Sequence, residues 1–348
     1  MGPLKYISLF SGVEAATVAW KPLGWEPVAY SEIDPFAKAV LAHHYPQVPD
    51  LGDMTKVDWS KYRGTVDIVV GGSPCQAFSV AGLRKALDDP RGQLMLEYLR
   101  ACYEIDPEWV VWENVPGVLS ADGGRAFGSL LAGVAELWPD GGAAWRVLDA
   151  QFFGVAQRRR RVFLVINTRD WRRAAPVLFE RESLCWDYPS SREKRQALAG
   201  RFAASVGAAA RSIDYNPSDG RFRVPEDPSL APTLTARMGT GGNNVPPVWC
   251  ATDSGVNMAC CRDMALTLTA HDGNSACFVN PPSFAVRRLT AIECERLQGF
   301  PDNYTDVPWR GAEHAPDSKR YKALGNSMAV PVMRWIGEGI ELVNDSEL

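Results

Sequence analysis

Val66-Asp67-Ile68-Val69-Val70-Gly71-Gly72-Ser73-Pro74-Cys75-Gln76 is a short, largely apolar run that breaks on two glycines and a proline. A run of β-branched residues without polar alternation reads as a strand buried on both faces, the kind found in parallel sheets covered by helices. Gly71, Gly72 and Pro74 then turn the chain into a tight loop. In open α/β sheets, ligands lie outside the carboxyl ends of the strands, so Cys75 stands where an active site is expected. A thiol held by glycines and a proline can approach a planar substrate closely, and nearby helix N-termini or arginines would favour its thiolate. Taken alone, Cys75 reads more readily as a loop cysteine without chemistry.

Working outward, the same alternation fills the first 169 residues. Strands are expected at 5–10, 27–31, 66–70, 108–112, 145–149 and 161–166, and helices at about 13–22, 35–44, 92–104 and 124–137, the pattern of a parallel α/β sheet. From about 170 to 285 this rhythm gives way to Pro, Gly, Ser and Asn, which predicts a second domain of short strands and long loops. Within it, Thr233-Leu234-Thr235-Ala236 echoes Thr267-Leu268-Thr269-Ala270, a spacing that suits two similar hairpins better than a solenoid. Thr290 followed by Glu293 has the form of a capping box opening a helix to Gln298, and a last helix, about 327–343, returns to the first domain.

The chain has 348 residues, enough for one large domain and a smaller one. No run reaches the roughly 18 apolar residues of a membrane span, and Met1 to Lys5 lead straight into a strand, so a cytoplasmic protein is expected. Eight cysteines, at 75, 102, 185, 250, 260, 261, 277 and 294, include no C-x-x-C pair, which argues for buried thiols in a reducing compartment and against zinc. The net charge is -4, yet residues 158–223 hold 15 Lys or Arg against 7 Asp or Glu, a local balance of +8. Such segregation fits a surface that tracks phosphates, or a solvated face with no partner.

Two ends of a site can be read. Strand 5–10 runs into Phe10-Ser11-Gly12, and Glu32 follows 20 residues after Gly12, where an acid in such folds takes the two ribose hydroxyls. The phosphate-binding G-x-G-x-x-G pattern is missing, and Glu14 would repel pyrophosphate, which favours an adenosine ligand without phosphates, such as S-adenosylmethionine. Asp53 fits either a contact to the adenine amino group or a turn. At the other end, Trp109-Val110-Val111-Trp112-Glu113 closes an apolar strand on an acid, placed to hydrogen-bond or protonate a ring nitrogen if burial raises its pKa. Gln157-Arg158-Arg159-Arg160-Arg161 enters the next strand with Arg159 and Arg161 on one face, and Arg158 and Arg160 on the other.

In this order the elements closely resemble the C5-cytosine DNA methyltransferases of bacteria and phages. Phe10-Ser11-Gly12 is similar to the family's first motif, Pro74-Cys75-Gln76 with Phe78-Ser79 to its catalytic motif, and Glu113-Asn114-Val115 to the next; Gln157, Arg159 and Arg161 match Q-x-R-x-R. Arg288-Leu289-Thr290, Glu293 and Arg296 to Pro301 resemble the helix supporting the recognition domain, and Tyr321 to Ser327 with Val330-Pro331 the last motif. Glu14 and Ala15 stand where the family continues with glycines, and no role is assigned to Glu14.

The resemblance implies a Rossmann-like methyltransferase domain, a mixed, mostly parallel sheet with helices on both faces, over 1–175 and 318–348. A smaller, irregular β-rich target-recognition domain would cover 176–317 with its supporting helix at 290–298. It implies transfer of methyl from S-adenosylmethionine to carbon 5 of a cytosine flipped out of double-stranded DNA, leaving S-adenosylhomocysteine, with no metal and with a monomeric enzyme. Cys75, Glu113, Arg159 and Arg161 would be catalytic. Phe10, Ser11, Gly12, Glu32, Ile33, Asp53, Pro74, Leu94, Asn326 and Ser327 would hold the cofactor. Gln76, Ser79, Arg84, Thr233, Thr235 and Arg237 would meet DNA, and the loop 77–92 would close over it. An RNA cytosine methyltransferase and a DNA-binding relative without catalysis are the competing readings; the long variable segment speaks against the first, and the presence of Cys75, Glu113, Arg159 and Arg161 against the second.

Overall fold

A computed structural model describes residues 2–73, 93–179, 211–212, 214–216, 221–223, 247–251 and 284–346. Six strands form the main sheet: β1 Lys5–Leu9, β2 Glu26–Ser31, β3 Ile68–Gly71, β4 Trp109–Asn114, β5 Gly142–Asp149 and β6 Arg160–Asn167, in the spatial order β2-β1-β3-β4-β6-β5. β1 to β4 are mutually parallel, whereas β6 is antiparallel to both β4 and β5. The expected mixed, mostly parallel sheet is therefore present, with all six strands near their predicted places.

Period-two geometry explains why these runs are apolar throughout. Ile68, Val70, Trp109 and Val111 face one apolar cluster; Val69, Val110 and Trp112 face another. The first is closed by helices α1 (Ala15–Trp20), α2 (Pro35–His44), α6 (Ala291–Gln298) and α8 (Val330–Asp345), through Trp20, Phe36, Leu297 and Ile336 among others. The second is closed by α3 (Gln93–Ile105) and α4 (Arg125–Leu137), through Leu99 and Leu130. The short helix α5 (Ala174–Leu178) follows β6 and packs Val177 into the first cluster.

The capping box predicted at Thr290 is formed: its side chain accepts from the Glu293 N–H at 3.2 Å, and Glu293 accepts from the Thr290 N–H at 2.7 Å. Helix α7, Asp317–Asn326, was not anticipated, and the last helix starts at Val330, later than expected. Pro331 sits in its first turn, where a missing N–H costs nothing, and Ser327 and Ala329 are extended before it. Among the other described residues, β7 Arg211–Ser212, β10 Pro247–Ala251 and β11 Phe284–Arg288 make a three-stranded antiparallel sheet, and β8 Asp214–Asn216 pairs with β9 Arg221–Arg223. No helix among the described residues is long and apolar enough to cross a membrane.

Gly71, the last residue of β3, leaves no room for a side chain: a Cβ there would lie 2.4 Å from the Leu9 carbonyl oxygen and 2.9 Å from the Tyr98 ring. Gly71→Ala is expected to lower the urea midpoint of unfolding by the equivalent of about 1–3 kcal/mol, the usual result of overpacking a rigid site. An unchanged midpoint would refute this account of the strand end.

Candidate active site

Because β1 to β4 run parallel, their carboxyl ends meet at one edge of the sheet, and the reversal of β6 brings its beginning to the same edge. Asn114 stands opposite Val162, so the arginines that precede Val162 fall beside the end of β4.

The three residues that end β4 alternate in direction. Trp112 Nε1 donates to Ser73 Oγ at 3.0 Å, and Asn114 Nδ2 donates to the Ser73 carbonyl at 3.0 Å. Ser73, two residues before Cys75 in the chain, is thus gripped from two sides. Between them Glu113 turns to the opposite face, where its Oε1 lies 3.1 Å from Arg161 Nε. A Cβ on Gly72 would come within 2.9 Å of Glu113 Oε2, so glycine is what lets the β3 end lie against the acid. Burial raises the Glu113 carboxyl above its ordinary value, and the charges of Arg159 and Arg161 pull it partly back.

Arg159 is buried, and its Nη2 donates to the carbonyls of Ser327 at 2.6 Å and Gly325 at 3.3 Å. Burial, then the Arg161 charge, lower its pKa to about 9, which leaves it cationic at neutral pH. Gln157 is equally buried: its Nε2 donates to the Leu297 carbonyl at 2.9 Å, and Gln298 Nε2 donates to the Leu324 carbonyl at 2.6 Å. Gln157 and Arg159 therefore hold α6 and α7, while Arg159 and Arg161 face the site.

On the β1 side the loop is strained. Phe10, Gly12 and Glu14 have φ of 53°, 58° and 66°, and a bulky residue in the left-handed region is uncommon enough to mark a functional turn. Glu32 fastens this loop, its carboxylate accepting from the N–H groups of Gly12, Ile33 and Asp34, each at 2.7 Å. Asp53 serves its turn as well: it accepts from the Thr55 N–H at 3.1 Å and the Thr55 hydroxyl at 2.8 Å, bonds that hold its carboxyl below the usual range.

A cavity of about 430 Å³ runs between these two regions. Its described lining includes Phe10, Gly12, Glu32, Ile33, Asp53, Leu94, Glu113, Arg159, Arg161 and Asn326. Ser11 and Ser327 line an adjoining cavity of about 40 Å³ that shares Phe10, Gly12, Gly72, Glu113 and Asn326 with the first. The volume is within the range of small-molecule sites. Apolar Phe10, Ile33 and Leu94 beside the acceptors Glu32 and Asp53 fit a nucleoside without phosphates. Pro74, Cys75, Gln76, Ser79, Arg84, Thr233, Thr235, Arg237 and the loop 77–92 lie outside the described residues. Sequence reasoning passed over Ser73 and the clamp on it, and the Lys322–Asp34 ion pair at 2.7 Å on the cavity wall. The polar Asn114 next to an acid at the end of an apolar strand was the available signal for the former.

A family model described as C-5 cytosine-specific DNA methylase matches residues 4–199 and 243–342. Among curated relatives, the Type II methyltransferase M.HhaI of Haemophilus parahaemolyticus is 27% identical over 97% of this chain and 94% of its own length. M.SsoII of Shigella sonnei is 30% identical over 99% of this chain and 82% of its own length. A protein of Escherichia phage P1 named DNA N-6-adenine-methyltransferase is 36% identical over 98% of this chain, which spans 61% of that protein. Among solved structures, the S. pombe Dnmt2 methyltransferase superposes with a TM-score of 0.63 at 16% identity, covering 98% of this chain and 99% of that one, a likeness of fold.

The Glu113–Arg161 pair yields a pH signature. With its folded pKa raised, Glu113 opposes folding only once it ionises, so the penalty is absent below the ordinary carboxylate range and grows as pH rises through the folded value. Removing Arg161 enlarges that penalty. Arg161→Ala is expected to destabilise the protein by on the order of 3 kcal/mol at pH 8 and by clearly less at pH 4.5. In the Arg161→Ala, Glu113→Gln double variant this pH dependence should vanish; thermal unfolding across that range checks both.

Proposed function

This chain belongs to the C-5 cytosine-specific DNA methylase family, and we propose on that premise that it methylates carbon 5 of a flipped cytosine within a specific sequence of duplex DNA, through a covalent adduct of Cys75. The observation that carries the proposal is the shared edge: Glu113, Arg159 and Arg161 line one cavity with Phe10, Gly12 and Glu32, and the chain enters Pro74-Cys75 directly from the clamped Ser73.

In this reading the Cys75 thiolate adds to carbon 6 of the ring, forming the carbon–sulfur bond. Glu113, whose buried carboxyl is raised toward its protonated form, hydrogen-bonds to the ring nitrogen and exocyclic amino group as electron density moves into the ring. Arg161 aligns Glu113 and, with Arg159, lends positive charge beside the base carbonyl. S-adenosylmethionine, held by Phe10, Ser11, Gly12, Glu32, Ile33, Asp53, Pro74, Leu94, Asn326 and Ser327, supplies an electrophilic methyl group when bound. Carbon 5, now enamine-like, would take that methyl as the methyl–sulfur bond breaks and S-adenosylhomocysteine leaves; loss of the carbon 5 proton to a base then expels the Cys75 thiolate and restores the ring. No metal is needed for any of these steps.

Residues 1–175 and 318–348 form the catalytic domain of this proposal, and 176–317 the recognition domain, with Gln76, Ser79, Arg84, Thr233, Thr235 and Arg237 toward DNA. Support for a mount between the two comes from Leu289, Cys294, Leu297 and Phe300, which are buried in the same apolar cluster as Tyr6 and Trp20. The phage and bacterial origin of the relatives supports action in the cytoplasm of a bacterial cell or phage-infected host, and the enzyme is read as a monomer.

The name of the phage P1 relative raises transfer to adenine N6 as a second reading. Mass analysis of nucleosides from DNA incubated with the protein and cofactor separates the two: 5-methyldeoxycytidine is expected, and N6-methyldeoxyadenosine in its place would overturn the proposal. Methyl incorporation into transfer RNA but not duplex DNA would overturn the choice of substrate. Cys75→Ser is expected to lower turnover by at least about 1,000-fold while leaving S-adenosylhomocysteine binding within about twofold. The wild type should also form a denaturant-stable adduct with duplex DNA carrying 5-fluorocytosine, and substantial methylation by Cys75→Ser would sink the covalent mechanism.

A further inference from the structure

Glu14 is a buried acid on the cavity lining that the mechanism leaves unused. It is 1% exposed, and at φ 66° and ψ 62° it occupies a left-handed conformation that glycine would adopt without strain. Its Oε1 accepts from the Thr17 N–H and the Thr17 hydroxyl, both at 3.1 Å. The Tyr6 and Tyr30 hydroxyls lie 2.6 and 2.9 Å from Thr17 Oγ1; since the single Thr17 proton goes to Glu14, both tyrosines donate to Thr17. Glu14 Oε2 has no hydrogen-bond partner, and Ser8, beside the carboxylate, makes no bond of hydrogen-bonding geometry to it. Among the described residues, the leading influences on its carboxyl are burial, the Ser8 and Thr17 hydroxyls, the Thr17 N–H and the Glu32 charge, with no cation among them.

An unpaired carboxylate oxygen in the interior calls for a partner that arrives from outside. The cavity of about 40 Å³ beside Glu14 supplies the place: it opens toward the larger pocket across Phe10, Gly12 and Gly72, and it has room for one small polar head. A methionine-derived ligand with its nucleoside against Glu32 carries one group that is cationic, donor-rich and of that size. We propose that Oε2 of Glu14 accepts the α-ammonium group of the cofactor, which makes Glu14 a cofactor-binding residue at the amino-acid end of the pocket. The inference rests on S-adenosylmethionine being the cofactor, as read above.

Linkage gives the contact a signature beyond affinity. Burial raises Glu14 to about 7 in the free protein, so a bound ammonium drives its ionisation and a proton leaves for solvent. The titratable groups facing it are Tyr6, Tyr30, Tyr45 and Tyr304, all held neutral by raised pKa values, together with Glu32 and, on the cavity wall, Glu113. Any contribution from Glu32 or Glu113 persists when Glu14 alone is changed.

The test is isothermal titration of the full chain with S-adenosylhomocysteine and with its analogue lacking the α-amino group. For the wild type at pH 8, the parent compound should bind about tenfold tighter or better, and at pH 6 its binding should release more protons than that of the analogue, by up to about one, as read in buffers of different ionisation enthalpy. Glu14→Gln, which keeps the bonds from Thr17, should bind both ligands within about twofold of each other and lose the extra proton release. Glu14→Gly, relieved of strain, should behave in the same way and guards against a folding defect in the first variant. Equal preference for the parent compound in wild type and both variants would overturn the inference while leaving the cofactor reading intact. Failure of the wild type to bind S-adenosylhomocysteine at all would overturn that reading, and the inference with it.

Discussion

The bond from Arg159 to the Ser327 carbonyl, 2.6 Å long, joins the entry of β6 to a residue 168 positions later, and the architecture of the site depends on it. Both partners are buried, so each would be costly if left alone: a guanidinium without acceptors, and a carbonyl without a donor. Gln157 and Gln298 repeat the arrangement one layer deeper, through the carbonyls of Leu297 and Leu324. Together they determine where α7 ends, and hence where Asn326 and Ser327 meet the cavity. Residues resembling a catalytic motif thus also carry the tertiary contact that brings the end of the chain back onto the sheet.

A parallel layout supplies only strand ends at the functional edge, and strand ends are where this chain puts its acids, Glu32 after β2 and Glu113 in β4. Cations reach the same edge because β6 runs the other way and presents its beginning. Reversing one strand therefore separates the site into an acceptor-rich end at β1 and β2 and a charge-paired end at β4 and β6, with Gly72 and Ser73 between them.

The sheet was legible because its central strands are buried on both faces, and continuous apolar runs such as 68–70 and 109–112 announce that burial directly. Helix α7 was not legible for the opposite reason: its buried face includes Arg320 and Gly325, with Leu324 as its one large apolar side chain, so no hydrophobic period exists to be read. Arg320 is buried because Glu295 and Thr305 receive it, at 3.1 Å each, and such a pairing across 25 residues leaves no local trace. The same limit applies at the site. Single residues with unusual neighbours, Glu113 closing an apolar strand or Glu32 following one, could be singled out; the clamp of Trp112 and Asn114 on Ser73 spans two strands and becomes visible only when they are paired.

Two buried carboxylates border the site, and their surroundings differ in kind. Glu113 has Arg161 at 3.1 Å and feels Arg159 as well, so its charge is answered within the protein. Glu14 is surrounded by hydroxyls and one N–H, which stabilise charge only in part, and its second oxygen is bare. Among the described residues, a compensating cation stands beside Glu113 and none is among the leading influences on Glu14, which is why the proposed ligand ammonium belongs with Glu14. Its strained backbone points the same way: glycine would sit at φ 66° without cost, so it is the side chain, not the turn, that accounts for the residue.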